Sequence, residues 1–185
     1  HEACVGINTS NDTIYLYRSK KSFSPSGDLY YSAYNQSTWN TPVKLEAINT
    51  KKWEGCANIT FNDRWLFFTS DREEGLGGID IYISEKQENG KWSDPRNMGS
   101  VINTSGDEDA PQIGLDDKTL YFSSKGHDGM GGHDIFVSKY NALDSTWSEP
   151  INMGYPINSP VDDIYFHYHP DATYAWFSSS RHSTN

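Results

Sequence analysis

Short stretches in which apolar and polar residues alternate recur along the whole chain, separated by turns rich in glycine, asparagine and aspartate. The clearest are aromatic and lie at residues 65–70, 120–124 and 175–179. Alternation with a period of two indicates β-strands with one buried face, and no stretch keeps the 3.6-residue period of an amphipathic helix. The pattern therefore predicts an all-β fold.

The same elements return in the same order about every 54 residues. An Ile-Asn-Thr or Ile-Asn-Ser triplet stands at residues 48–50, 102–104 and 157–159, and an acid follows at Glu54, Glu108 and Asp163. An aromatic strand, a glycine turn, a second strand and a Trp with a Pro three residues later complete each repeat. Four short antiparallel strands in a repeat of this length form one β-propeller blade.

We therefore expect residues 1–185 to form a partial β-propeller, with repeats at about 1–52, 53–106, 107–161 and a partial repeat at 162–185. This is about three and a half blades, whereas propellers close with about four to eight. We expect an incomplete ring, and a chain that belongs to a longer polypeptide or a complex.

The third repeat assigns the strands within one blade. We expect strand A at residues 110–114, B at 119–124, C at 134–139 and D around Trp147. The D-to-A and B-to-C loops then share one rim, where each acid lies near a base. Six rim residues are the predicted ligand contacts: Glu54, Glu108, Asp163, Arg72, Lys125 and Arg181. Glu2 and Lys20 hold these positions in the first repeat.

Two interpretations of the rim remain open. Each acid and base could join the two loops as an ion pair, which contributes at most about 1 kcal/mol when exposed. Alternatively, the charges could form a ring suited to gripping a charged peptide or glycan.

The composition excludes several classes of partner. Fifteen Lys and Arg residues against twenty-five Asp and Glu give a net charge of −10, which opposes binding to nucleic acid. No apolar run approaches the roughly 18 residues of a membrane span, so we expect no direct membrane insertion. Six Trp, twelve Tyr and eight Phe residues predict an aromatic core rather than disorder.

Catalytic signatures are missing from the sequence. It has no Gly-x-Ser-x-Gly, no His-Glu-x-x-His and no phosphate-binding loop before a helix, so we expect no enzyme activity, no cofactor and no metal. A metal pair at His167 and His169 and a calcium site at residues 107–109 remain open. The same three acids could instead serve a carbohydrate-active enzyme, which needs two carboxyl groups about 5 to 9.5 Å apart.

Several structural roles follow from the repeat. Cys4 and Cys56 hold equivalent places, where we expect small buried residues, and a disulfide between them remains open. The Gly-x-Gly-Gly turns are expected to supply positive φ angles, and Asp80 and Asp134 to accept backbone N–H bonds. The repeated tryptophans, Trp39, Trp92 and Trp147, are expected to pack between blades.

The motifs Phe-Thr-Ser-Asp-Arg, Gly-x-Gly-Gly-x-Asp-Ile-Tyr and Trp-Ser-x-Pro-x-Asn-Met-Gly resemble the TolB-like, WD-type β-propeller repeat. They are most similar to the variant in envelope proteins that carry an OmpA-like peptidoglycan-binding domain, including components of gliding and type 9 secretion machinery. The resemblance implies a non-enzymatic binding or scaffold module that is periplasmic and associated with the outer membrane. It implies an envelope protein or a peptidoglycan or other glycan as partner. A propeller half of a serine peptidase is a third alternative.

Overall fold

The structure is a computed structural model that describes residues 2–19, 26–168 and 173–181. Every regular element among these residues is a β-strand, so the all-β prediction is confirmed. No helix in this part of the chain is long and apolar enough to cross a membrane. The strands are β1 Glu2–Ile7, β2 Thr13–Arg18, β3 Asp28–Ala33, β4 Val43–Lys44, β5 Glu54–Ile59, β6 Trp65–Ser70, β7 Asp80–Glu85, β8 Arg96–Asn97, β9 Glu108–Ile113, β10 Thr119–Ser124, β11 Asp134–Asn141, β12 Thr146–Trp147, β13 Ile151–Asn152, β14 Asp163–Tyr168 and β15 Ala175–Ser179.

These strands form four antiparallel sheets, which we call blades 1 to 4. Blade 1 has the order β1-β2-β3-β4 and blade 2 the order β5-β6-β7-β8. Blade 3 has the order β9-β10-β11-β12, with β13 also paired to β11, and blade 4 consists of β14 and β15. The sheets fall inside the four expected repeats, whose boundaries stay a prediction.

The strand positions predicted for blade 3 are wrong in one place. The first strand of blade 3 begins at Glu108 rather than at residue 110, because the Glu108 N–H donates to the carbonyl of Ile79 in the preceding blade (2.8 Å). The predicted strand around Trp147 is confirmed, since β12 contains this tryptophan and pairs with β11. In blade 2 the outermost strand is β8, which pairs with β7, while Trp92 makes only an isolated bridge to Lys86.

Apolar side chains join each blade to the next. One core cluster brings Tyr15 and Leu29 of blade 1 together with Leu66 and Phe68 of blade 2. A second cluster joins blade 2 to blade 3. The first strands β1, β5, β9 and β14 contact one another in this order. We call the surface that these four strands share the inner edge.

The repeated tryptophans confirm the predicted packing in two cases out of three. Trp92 packs against the cluster between blades 1 and 2. Trp147 lies edge-on to Phe67 of the preceding blade, with ring centroids 6.1 Å apart. The prediction is wrong for Trp39, which is 43% exposed and packs on Tyr34 of its own blade, because no described sheet lies on that side.

The glycine turns serve a different purpose from the predicted one. Among the described residues, positive φ occurs in glycine only at Gly90, Gly99 and Gly154, outside the Gly-x-Gly-Gly turns. At Gly77 a Cβ atom would overlap the carbonyl oxygen of Gly106 and lie 2.7 Å from that of Thr104. The turn therefore needs glycine because the next blade's backbone approaches closely.

The aspartates after these turns confirm their predicted role. Asp80 accepts hydrogen bonds from the N–H groups of Leu76 and Gly77, the latter at 3.1 Å. Asp134 accepts from the equivalent N–H groups of blade 3, those of Met130 and Gly131. Each carboxylate closes its own turn and so fixes the loop that faces the next blade.

Candidate functional site

The asparagine of each Ile-Asn-Thr or Ile-Asn-Ser triplet holds the loop between blades in place. The Asn103 side chain accepts from the N–H of Ile81 (2.8 Å) and donates to the carbonyl of the same residue (2.9 Å). Asn158 makes the same two bonds to Ile135, both at 2.8 Å. The side-chain amide thus makes the two backbone hydrogen bonds that a neighbouring strand would make. It thereby fixes the loop that leads to the acid of the next blade.

The acid of blade 2 lies at the centre of a buried hydrogen-bond network. Glu54 has no solvent-exposed surface, and its carboxylate accepts bonds from the Thr50 N–H (3.0 Å) and hydroxyl (2.7 Å) and from the Ser70 hydroxyl (3.1 Å). The Arg72 guanidinium completes the network at 3.4 Å. Glu54 and Arg72 therefore form a buried ion pair, as the loop-joining interpretation predicts.

Arg72 also fastens the loop and covers the core. Its guanidinium donates to the carbonyl of Ile48 at 2.9 Å. It lies over the rings of Phe68 and Tyr82, 5.2 and 4.5 Å from their centroids. A cation over an aromatic face is attracted by the ring quadrupole, so this arginine stabilises the blade in two ways.

Blade 3 departs from the predicted pairing. Glu108 is also fully buried, but it accepts from the Thr104 N–H and hydroxyl (both 2.7 Å) and from the Ser124 hydroxyl (2.6 Å), and it forms no ion pair with a base among the described residues. Lys125 instead pairs with Asp107 at 3.1 Å. The predicted Glu108–Lys125 neighbour pair is wrong, because Lys125 directly follows Ser124, whereas the arginine of blade 2 stands two residues after its serine.

A histidine takes the place of the arginine in blade 3. The Nε2 atom of His127 lies 2.9 Å from the carbonyl oxygen of Ile102. Its ring packs against Phe122 and Phe136, with centroids 5.9 and 5.3 Å apart. Sequence analysis missed His127, although its position between a serine pair and a glycine turn was the available signal.

Blade 4 restores the pairing. Asp163 is fully buried and accepts from the Arg181 guanidinium (2.8 Å) and from the Ser159 N–H and hydroxyl (both 2.7 Å). Burial acts to raise the pKa of Asp163, but hydrogen bonds from Ser179, Arg181 and Ser159 outweigh it, and the pKa lies below its usual value. In blade 1, Arg18 pairs with Glu2 at 2.7 Å, and Lys20 lies outside the described residues.

Burial decides what the three acids Glu54, Glu108 and Asp163 do in this structure. Each has an exposed fraction of 0%. Their carboxylates therefore join loops and do not face solvent, where a ligand would meet them. The binding role of these acids and of Arg72, Lys125 and Arg181 stays a prediction.

A second set of residues, on the inner edge, has an unusual backbone. Cys56, Ala110 and Tyr165 each stand two residues after the acid of their blade, and their φ angles are 43°, 52° and 61°. Each lies at a bulge where the first strand shifts register against the second. A side chain at positive φ is uncommon and costs about 1–3 kcal/mol, and such positions cluster at binding and active sites.

These bulges line a cavity of about 160 Å³ on the inner edge, together with Cys4, Asn58 and His167. Sequence analysis recognised Cys4, Cys56 and Ala110 as equivalent, but predicted small buried residues. Cys4 is exposed, so that expectation is wrong for it, and both cysteines are free thiols. The bulge opens the first strand and turns these side chains towards the cavity.

Three titratable side chains that line this cavity, those of Cys56, Tyr165 and His167, are uncharged at neutral pH. Burial, with the Asp109 carboxylate beside it, raises the pKa of the Cys56 thiol. The charge of an ionised Cys56, then burial and Asp109, raise the pKa of Tyr165 to about 12. Burial lowers the pKa of His167, whose ring stacks on Trp176 at 5.9 Å. The inner edge therefore offers neutral hydrogen-bonding groups and aromatic rings.

The sequence left two metal sites open, a pair of histidines at His167 and His169 and a calcium site at residues 107–109. His169, half of the histidine pair, lies outside the described residues. Within them, no group of three or more His, Cys, Asp or Glu side chains is placed to hold a metal ion. Asp107 and Glu108 are engaged as described above.

Comparison with known proteins identifies the architecture. No protein-family model and no curated protein matches the chain. Several solved structures are similar to the chain. TolB from Acinetobacter baumannii is 13% identical in sequence and superposes with a TM-score of 0.60, and the match covers 96% of this chain and 37% of that one. A putative TolB from Agrobacterium tumefaciens has 12% identity and a TM-score of 0.61, with 97% and 58% covered. The chain has a TolB-like β-propeller fold.

The predicted fold class is therefore confirmed, with propeller blades of antiparallel strands that do not close a ring in the described residues. An α-L-arabinofuranosidase from Lactobacillus brevis is also similar, with 11% identity, a TM-score of 0.54, and 89% of this chain and 60% of that one covered. The chain spans less than two thirds of the length of these TolB structures. At such identities, the likeness shows the fold alone.

Proposed function

We propose that this TolB-like propeller is a non-enzymatic binding and scaffold module of a bacterial cell-envelope protein. Its partner is an envelope protein or, as the alternative, peptidoglycan or another glycan, and its place is the periplasm at the outer membrane. A role in secretion or gliding machinery belongs to the same proposal. The likeness to TolB structures supports the scaffold, and rigid scaffolds carry varied binding surfaces.

The single observation that carries the proposal is the inner edge. Three blades hold a side chain at positive φ at the same position, and these side chains differ: Cys56, Ala110 and Tyr165. Tyr165 remains 45% exposed there. A strained position that is kept in three blades while its side chain varies fits a surface shaped for a partner.

The chemistry of the inner edge favours a particular contact. Because the thiol, phenol and imidazole groups are neutral, the surface suits an uncharged strand or loop whose backbone groups hydrogen-bond with it. A highly charged peptide would lose hydration without gaining an opposite charge. We therefore place the partner's contact at the inner edge rather than at the buried acids.

Site-specific crosslinking in the native cells tests this proposal. The full protein would carry a photoreactive phenylalanine analogue at Tyr165, or, as the control, at Leu143, which is 98% exposed on an outer hairpin of blade 3. We expect an adduct with one defined envelope protein from the Tyr165 position only. Equal adducts from both positions, or none from Tyr165, would contradict the proposal, and an adduct with glycan would select the alternative partner.

The similarity to an arabinofuranosidase keeps a carbohydrate-active propeller as the second candidate. Such an enzyme needs two carboxyl groups about 5 to 9.5 Å apart in one pocket. The acids at 107–109 have separate partners: Asp107 binds Lys125, Glu108 is buried, and Asp109 accepts from the Ala110 N–H at 2.7 Å. Hydrolysis of nitrophenyl glycosides that is lost in Asp109→Asn would favour this candidate over the scaffold.

A further inference from the structure

The two grooves on the outer side of the blade interfaces are built from equivalent positions. One groove lies between blades 1 and 2 and the other between blades 2 and 3. Both have a repeated tryptophan in one wall, Trp92 in the first and Trp147 in the second. Because the blades repeat, the two grooves can be compared position by position.

The groove between blades 2 and 3 is nearly filled. Its cavity is about 70 Å³. Trp65, the first residue of β6, occupies it, and the Arg96 guanidinium covers the Trp65 ring at 5.7 Å. On the other wall, Tyr140 packs on Trp147 with centroids 5.3 Å apart.

The groove between blades 1 and 2 is open, with a cavity of about 530 Å³. Thr13, the first residue of β2, stands where blade 2 has Trp65, and Lys86 stands where blade 3 has Tyr140. Two large rings are thus replaced by a small side chain and a flexible one. A cavity of this size falls within the range of about 300–1,000 Å³ that is typical of small-molecule sites.

Aromatic rings form the apolar part of the open groove. Tyr15, Tyr31 and Trp92 line it, with Leu45 beside them. Trp92 is only partly buried, so part of its ring faces the groove. Flat rings of this kind bind the flat apolar face of a ligand through burial of apolar area.

Two lysines give the groove its charge. Lys86 and Lys91 both line it, and neither forms an ion pair with any described residue; the Lys86 ammonium lies 6.0 Å from the Trp92 ring centroid. Lys44 is paired with Asp28 at 2.9 Å. Glu46 is the one acid in the lining, so the groove is positive although the chain carries a net charge of −10.

Two carboxylates near Tyr15, those of Asp12 and Asp63, lie outside the lining, and neither forms an ion pair with Lys86 or Lys91. The amide of Asn8 donates to Asp12 at 2.8 Å and to Asp63 at 3.1 Å. The free ammonium groups of Lys86 and Lys91 are therefore the partners left for an incoming anion. Lys86 holds its ammonium near the face of Trp92, next to where a flat ring would lie.

We propose that this groove binds an acidic saccharide, with the sugar ring against Trp92 and Tyr31 and its carboxylate at Lys86 and Lys91. The tyrosine hydroxyls and Glu46 are hydrogen-bond partners for the ring hydroxyls. An aromatic acid has no such hydroxyls and would leave these groups unused, which favours the saccharide.

Calorimetric titration of the intact protein at low salt tests this site, with glucuronic acid as the probe and glucose and benzoate as comparisons. We expect glucuronic acid to bind more tightly than glucose by about fivefold, the upper limit of what one exposed ion pair provides. Equal or tighter binding of benzoate would overturn the saccharide assignment. Absence of glucuronic acid binding would overturn the site.

Two variants locate the binding. Thr13→Trp fills the groove with the ring that blade 2 has at this position, and it should abolish binding while circular dichroism shows the native fold. Lys86→Gln with Lys91→Gln should weaken binding of glucuronic acid about fivefold. The control pair Lys118→Gln with Lys139→Gln, exposed on blade 3, should leave it unchanged. Binding that both groove variants retain would overturn the proposal.

This inference does not rest on the proposed function. Tyr165 lies on the inner edge, whereas Thr13 and Lys86 lie in the outer groove. Failure of the crosslinking experiment would therefore leave the saccharide site untouched, and failure of the titration would leave the scaffold proposal untouched.

Discussion

The side-chain amide of Asn103 anchors the loop between blades 2 and 3 to blade 2, and removing it gives the sharpest test of how that loop is held. Asn103 is 1% exposed, accepts from the N–H of Ile81 and donates to its carbonyl and to the side-chain oxygen of Asn97 (2.8 Å). Asn103→Ala leaves the N–H of Ile81 without its partner inside the blade, whereas the Ile81 carbonyl keeps the bond from the Met98 N–H (3.1 Å). We expect this variant to be strongly destabilised.

The magnitude follows from the group left unpaired. A buried donor without a partner costs about 1–3 kcal/mol, so the unpaired N–H of Ile81 predicts a loss of about 1–3 kcal/mol. Natural domains are stable by only about 5–15 kcal/mol. At about 2–4 °C per kcal/mol for a chain of this size, the melting temperature should fall by about 2–12 °C.

Thermal and urea unfolding, followed by circular dichroism, measure this loss. Asn103→Leu, which keeps the volume but lacks the hydrogen bonds, should be about as unstable as Asn103→Ala. The control is Asn89→Ala, because Asn89 lies in an exposed turn and accepts one bond, from the Lys91 N–H. It should change stability by no more than about 0.5 kcal/mol. Similar losses in Asn103→Ala and Asn89→Ala would refute the reasoning.

Three further predictions concern the loops at the rim of the blades and the buried acids that hold them. Gly131→Ala should lower the melting temperature, because its Cβ would overlap the Val161 carbonyl oxygen, and unfolding curves check this. Arg72→Met should cost about 3–5 kcal/mol by leaving the buried Glu54 carboxylate without its cation, and adding Glu54→Gln should restore part of that stability in urea unfolding. Since the Asp163 pKa is lowered, its stabilisation is complete above the unfolded-state value of about 3.9 and is lost as pH falls through the lower folded value. Acid unfolding of Asp163→Asn should therefore show a weaker pH dependence than that of the parent protein.

The repeat made the scaffold predictable from the sequence. The triplets, the acids and the aromatic strands recur with one period, so their equivalence could be recognised before any contact was known. The close approach at Gly77 could not, because the carbonyl groups that exclude a Cβ come from the next blade. Glycine is compatible with either positive φ or close approach, and the sequence does not distinguish the two.

At the candidate site, the directions of the side chains could not be predicted from the sequence. One residue of difference after the serine sends Lys125 to Asp107 instead of Glu108 and leaves the arginine position to His127. The positive φ angles of Cys56 and Ala110 were also unpredictable, since neither residue type favours that conformation. The bulge is imposed by register between strands, which is a tertiary property.

Repetition itself separates scaffold from binding surface in this chain. Positions that join blades keep one chemistry in successive blades, as Asn103 and Asn158 do, because the backbone they bind is the same each time. Positions that line a cavity do not have to bind the same backbone in each blade, so their residues differ between blades, as Thr13 and Trp65 do. A blade-to-blade exchange at such a position should therefore change what the protein binds and leave its fold intact. Thr13→Trp makes that exchange within a single groove. Its unfolding curve measures the stability of the fold and its titration measures ligand binding, so the two together show how far stability and binding are independent.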